Sequence, residues 1–118
     1  MKHFTTTEFD CPCCGLLPKQ ELMDLLDQIR EDYGSPIDIS SGKRCEKHNK
    51  EIGGAKRSRH GVGDAADLVR TKKLREFLEK NLEKYQICLE NPKNTGTDAS
   101  GWLHIDMLNR KGWRIFRP

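Results

Sequence analysis

The 118-residue sequence lacks any apolar run approaching the ~20 residues that cross a bilayer as a helix, which excludes a helical membrane span. Its first residues, Met1-Lys2-His3-Phe4-Thr5, hold no apolar stretch of the kind a secretory leader needs. The expectation is a protein made in the cytoplasm that reaches any external target by another route. No internal repeat and no linker of Pro, Gly or Ser divides the chain, and its length suits one domain, 1–118. Hydrophobic residues are scarce at 35%, against 33% charged. That still supplies one modest core, because a domain of this size buries about two-thirds of its unfolded surface. Disorder throughout is excluded, since apolar periodicity recurs and only Asn91–Ser100 reads as loose.

An even cysteine set is also missing. Cys11, Cys13, Cys14, Cys45 and Cys88 are five, which argues against a fully paired disulfide framework. Cys11 and Cys14 form a CxxC with Cys13 inside it, but no second CxxC completes a four-thiolate metal site. Three readings stay open: a structural metal with Cys45 or Cys88 as distant ligand, one disulfide, or reduced and partly buried thiols.

The net charge of +3 is unevenly spread. Residues 1–40 carry 3 basic and 8 acidic side chains, residues 41–60 carry 7 and 2, and the last ten add four more positive charges. A basic middle fits an anionic polymer, a nucleic acid or simply a solvated loop.

Lys19–Tyr33 is predicted as a helix from Leu22, Leu25, Leu26 and Ile29 at i, i+3, i+4 and i+7, with Pro18 before it and Gly34 after it. Ile37–Ile39 alternates as a short strand. Residues 40–66 hold Gly42, Gly53, Gly54, Gly61 and Gly63 and read as a long loop, which in a small domain usually has a function. Thr71–Tyr85 is a second helix with Thr71 as N-cap. Gln86–Glu90, Trp102–Asp106 and Trp113–Phe116 are predicted strands, with loops at Asn91–Ser100 and Asn109–Gly112. The expected fold class is α+β: a small antiparallel sheet, two main helices and a long Gly-rich loop.

Two clusters carry chemistry. His60 and Asp67 stand seven apart across a turn containing Gly61 and Gly63, and imidazole and carboxylate are both good zinc ligands. Trp102-Leu103-His104-Ile105-Asp106, as a strand, sets His104 and Asp106 on one face and the apolar pair on the other. A surface histidine beside a tryptophan would read the same way.

Taken in order, Lys2-His3-Phe4…Glu8-Phe9-Asp10-Cys11, Ser40-Ser41-Gly42-Lys43-Arg44-Cys45…His48-Asn49…Gly53-Gly54-Ala55…Ser58…His60-Gly61-Val62-Gly63-Asp64-Ala65-Ala66-Asp67 and Trp102-Leu103-His104-Ile105-Asp106 resemble peptidase family M15. This is the group of zinc D-Ala-D-Ala carboxypeptidases and peptidoglycan endopeptidases, and the likeness is greatest to its short phage and prophage members. The resemblance covers nearly the whole chain and implies a hedgehog/DD-peptidase-like fold. It implies a zinc ion held by His60, Asp67 and His104, with the fourth position open to water, which is the catalytic pattern. It gives Arg44 a role near the scissile bond, where a guanidinium forks onto a carboxylate or an oxyanion. Ser58 either binds substrate or shapes the ligand loop. His48 and Asn49 match the family without being ligands, and Lys56, Arg57 and Arg59 give the cleft a basic rim.

One position departs from the family pattern. Many members carry an acidic general base three residues before the last histidine ligand, and here that residue is Gly101. Glu90 is the first replacement, because adjacent antiparallel strands would bring it near His104. Asp106 is the second, with the alternative of orienting an imidazole. Asp98 is the third, and for it an exposed carboxylate is the preferred reading. The expected activity is hydrolysis of peptidoglycan peptides by a monomer released to the cell wall or carried on a virion, with no nucleic-acid partner. The competing expectations are a zinc-stabilised wall-binding module without catalysis and, more remotely, a nucleic-acid-binding zinc-cluster protein.

Overall fold

A computed structural model describes residues 1–12, 14–43, 63–108 and 114–116. Helix α1 (Gln20–Tyr33) forms where apolar residues recur at helical spacing, and it buries Leu22, Met23, Leu26 and Ile29. It stops at Gly34, whose φ of 74° lies in the left-handed region that glycine adopts freely and whose N–H closes the last turn on the Arg30 carbonyl. Helix α2 (Lys72–Tyr85) starts at Thr71, whose hydroxyl accepts the Leu74 N–H at 3.1 Å. It buries Leu74, Leu78, Leu82 and Tyr85. Both helices start one residue after their predicted first residue and end where predicted.

The strands are β1 (Ile39–Ser41), β2 (Ala65–Val69), β3 (Cys88–Glu90), β4 (Gly96–Thr97), β5 (Ser100–Asp106) and β6 (Ile115–Phe116). The sheet runs in the order β1-β2-β5-β3-β6, with β4 folded back on β5. β5 is its spine and pairs antiparallel with both β2 and β3. The expected small antiparallel sheet is a mixed one, because β6 joins β3 in parallel, Leu89 opposite Ile115 and Glu90 opposite Phe116. A parallel pair has no local turn signal, so nothing near Phe116 in the sequence specifies it.

Two other expectations shift. Residues 65–66, expected in the long loop, open a strand in which Ala65, Ala66 and Leu68 are fully buried, with small alanines rather than β-branched residues at its start. The strand expected at Ile37–Ile39 lies at Ile39–Ser41, with a register irregularity against β2. The Asn91–Ser100 stretch contains a short 3₁₀ turn at Pro92–Asn94 and strand β4.

The two faces of the sheet differ because successive side chains alternate. Ala66, Leu68, Leu89, Leu103 and Ile105 face the helices and join one core with Phe4, Phe9 and the buried faces of α1 and α2. Burying each leucine of this set stabilises the fold by about 1.5–3 kcal/mol. Asp67, Val69, Glu90, Trp102, His104 and Asp106 alternate to the outer face. Among the described residues no helix is long and apolar enough to cross a membrane.

Lys43 and Gly63 are tied to the N-terminal region. Lys43 N–H donates to the Phe9 carbonyl at 2.9 Å, and Lys19 N–H donates to the Gly63 carbonyl at 2.7 Å. Gly42 permits the first contact, since a Cβ there would lie 2.3 Å from the Phe9 oxygen.

Candidate active site

The central feature of the outer face is a pair across β2 and β5. The register sets Asp67 directly opposite His104, and His104 Nδ1 lies 2.9 Å from Asp67 Oδ1. On the far side of the same ring, Nε2 lies 3.5 Å from Asp106 Oδ2. Asp106 is fully buried and its other oxygen accepts the Leu108 N–H at 3.1 Å. Phe116 meets the His104 ring edge-on, with centroids 5.9 Å apart at 75°. The imidazole is thus held between two carboxylates and backed by an aromatic ring.

Glu90 enters from the third strand. β3 pairs Cys88 with Asp106 and Leu89 with Ile105, and one further step of that register sets Glu90 across from His104. Its carboxyl is half-buried, and burial raises its pKa. His104 opposes that shift, and the negative charges of Asp67 and Asp106 reinforce it. Burial pulls the His104 pKa down, but its bonds to Asp106 and Asp67 outweigh this and hold it up at about 9.

Two carboxylates therefore flank one imidazole, and the charge of a third, Glu90 on the neighbouring strand, acts on the same ring. Asp67 and His104 are donors of the kind that a divalent cation with nitrogen and oxygen ligands takes. Asp67 and His104, two of the expected ligands, are together. The third, His60, lies outside the described residues, as do Arg44 and Ser58. Among the described residues alone, no group of three or more His, Cys, Asp or Glu side chains is arranged to hold a metal ion.

Gly101 has a structural reason. A Cβ there would lie 2.4 Å from the Thr95 oxygen and 2.9 Å from the Thr97 nitrogen, because β4 packs directly on this point. The position also alternates to the opposite face from His104. An acid at this position has neither room nor direction to serve His104.

Asp98, the third candidate base, is committed elsewhere. It accepts from Arg70 Nε at 2.9 Å and from Arg75 Nε and Nη2 at 2.9 and 3.0 Å. These guanidinium groups, Arg75 first, hold its pKa down at about 2. Arg70, only 7% exposed, also donates to the Pro92 and Gly96 carbonyls at 2.7 and 3.1 Å. This clamp and the Phe116 contact were not read from the sequence. No local pattern marks the clamp, since Arg70 and Asp98 are 28 residues apart in a highly charged segment, and Phe116 carried no signal beyond its strand pattern.

Of the cysteines, Cys88 is buried beside Asp106 and donates to the Leu108 carbonyl, so it is engaged on β3. Cys11 is buried and Cys14 exposed, while Cys13 and Cys45 lie outside the described residues.

No curated protein matches this sequence. A family model described as Peptidase M15 matches residues 2–106, a span that contains Asp67, Glu90, His104 and Asp106 together with Arg44, Ser58 and His60. With nearly its whole length matched, the chain belongs to the peptidase M15 family.

Proposed function

We propose that this chain is a zinc peptidase that hydrolyses peptide bonds in peptidoglycan stem peptides or their cross-links. The observation that carries the reading is the Asp67–His104 pair, 2.9 Å apart on neighbouring strands, at an acid-rich site in a peptidase M15 chain. His60, Asp67 and His104 would hold the zinc ion, which when bound supplies an activated water and polarises the peptide carbonyl.

The remaining work falls to the chain's own groups. His104 Nδ1 faces Asp67 and is the nitrogen that shares a ligand site with it. Nε2–H is then left to donate to Asp106, which fixes the ring and its tautomer. Asp106 is too buried to meet substrate, so it is a positioning residue. Glu90 is the general base: its carboxylate takes the proton of the attacking water and returns it to the leaving amine. Burial favours its protonated form, which suits the second half of that cycle. Arg44 binds the substrate carboxylate or the developing oxyanion, and Ser58 hydrogen-bonds substrate or shapes the loop. A basic rim at Lys56, Arg57 and Arg59 raises encounter with an acidic wall polymer.

A second reading, a zinc-stabilised wall-binding module, is favoured by the sterically enforced glycine at position 101. One experiment separates the two. Zinc-loaded protein is incubated with purified peptidoglycan, with a chelator control, and soluble products are identified by mass spectrometry. Chelator-sensitive fragments support the peptidase, and their termini name the bond. Sedimentation with the wall and no fragments supports the binding module.

A further inference from the structure

Beside the Asp67–His104 pair, the outer face carries an open groove of about 470 Å³. Ser40 and Ser41 of β1 form one wall and Trp102 of β5 the other, with Asp67 and Val69 of β2 along the floor. Ser40 Oγ donates to the Asp67 carbonyl at 3.1 Å and so fixes the first wall to the floor. Asp67 thus belongs both to the catalytic pair and to the groove.

The groove changes character along its length. At one end it is Asp67, the acidic member of the charged pair. Two residues on, the register sets Val69 against Trp102, and both are unusually open for apolar residues, at 45% and 43% exposed. The next residue, Arg70, is turned into its bonds with Asp98, Pro92 and Gly96. Asp67 is therefore the charged side chain lining the groove among the described residues. An acidic group above Val69 would meet only that negative charge, whereas an aliphatic group would cover exposed indole and isopropyl surface.

Spacing fixes which part of a substrate lies there. A strand advances ~3.3 Å per residue, so Val69 is about 6.6 Å from Asp67 along β2. An extended peptide in the groove advances at the same rate. With its scissile carbonyl at the Asp67–His104 pair, the side chain two residues away lies over Val69 and Trp102. We propose that Val69 and Trp102 form a specificity subsite for the aliphatic part of the substrate residue two positions from the bond that is cut. This rests on the peptidase reading above, and the test keeps the two apart.

Once wall digestion has named the bond, synthetic peptides are built around it. Leu, Gly or Asp is placed two positions before it in one series and two positions after it in another. In one series kcat/KM should favour Leu over Gly by about tenfold and disfavour Asp. Trp102→Ala should erase that preference while leaving the Gly peptide within about twofold of wild type. Wild-type protein with no preference in either series, or a preference that survives in W102A, overturns the subsite. Val69→Asp, at an exposed position, gives a second variant: it should turn the preference towards Lys at the same peptide position, and failure to do so counts against the proposal.

A readout independent of hydrolysis uses metal-free protein carrying Trp113→Phe, in which Trp102 is the only tryptophan. N-acetyl-Gly-Gly-Leu amide at millimolar concentration should shift Trp102 emission to the blue, and the Gly-Gly-Gly analogue should not. If the wild type cuts nothing but this shift appears, the peptidase reading fails and the aliphatic site stands as a binding site. A shift produced by an N-acetylglucosamine oligomer and not by the Leu peptide overturns the proposal in favour of glycan stacking.

Discussion

Two charged clusters lie along β2, one at its middle residue Asp67 and one just beyond its end, and they are built on different balances. Beyond Val69, Arg70 and Arg75 share Asp98, and Arg75 also reaches Glu79 at 3.2 Å. Two guanidinium groups meet two carboxylates, and Arg70 turns its remaining donor to backbone carbonyls. At Asp67, two carboxylates contact one imidazole and a third, Glu90, acts on it through charge, among the described residues. A neutralised network holds architecture in place, here the β4 turn against the start of α2. A half-buried cluster with excess negative charge is costly by itself and is suited to receive a cation.

The comparison breaks most severely if the acidic cluster loses a ligand. Asp67→Asn keeps the shape of the side chain and removes its charge. Bound zinc measured by mass spectrometry should fall to background, and wall hydrolysis should drop on the order of 10³-fold or more. Full zinc content in D67N would remove the charge-excess argument. Next in size is Glu90→Gln. Its kcat should fall by about 10²–10³-fold with zinc content and KM retained, as expected for loss of a base that acts in the transition state. A wild-type kcat in E90Q would transfer the base to another group.

These outcomes bear on what the sequence revealed. The helices were legible because Leu22, Leu25, Leu26 and Ile29, or Leu74, Phe77, Leu78 and Leu82, write a period of 3.6 into the chain. The shared face of His104 and Asp106 was legible for the same reason, at a period of two. The arrival of Glu90 beside them required one long-range assumption, that β3 and β5 are antiparallel neighbours. The placement of Asp67 on a central strand was not legible, because Ala65 and Ala66 have low strand propensity and are held there by burial on both faces. The clamp was illegible for a related reason. Arg70 and Asp98 are 28 residues apart, and only the fold of the β4 turn brings them together.

The balanced cluster should respond to mutation with a loss of stability and little change in chemistry. Arg70→Met leaves Asp98 with Arg75 alone and strips hydrogen bonds from the Pro92 and Gly96 carbonyls. Urea unfolding should show a lowered midpoint, because the buried guanidinium's bonds to two backbone carbonyls are lost while the partly exposed Asp98 keeps Arg75. Hydrolysis per folded molecule should stay near wild type. A rate loss as large as that of E90Q would mean that the two clusters are not separable.

The smallest expected effect is in acid, and its sign follows from Asp98. Its folded-state pKa lies at about 2, below the ordinary aspartate value of 3.8. A carboxyl with a depressed folded pKa stabilises the fold fully above its unfolded pKa, because the unfolded chain binds the proton more readily. That contribution is lost as the pH falls from about 4 through about 2. Asp98→Asn should therefore lower the midpoint temperature by a few degrees at pH 6, and the gap to wild type should narrow progressively below pH 4. The group is partly exposed and screened by solvent, so the gap at pH 6 should also shrink in high salt. A gap that holds constant from pH 6 to pH 2 would assign the loss to packing, and the clamp would then owe its stability to shape rather than to charge.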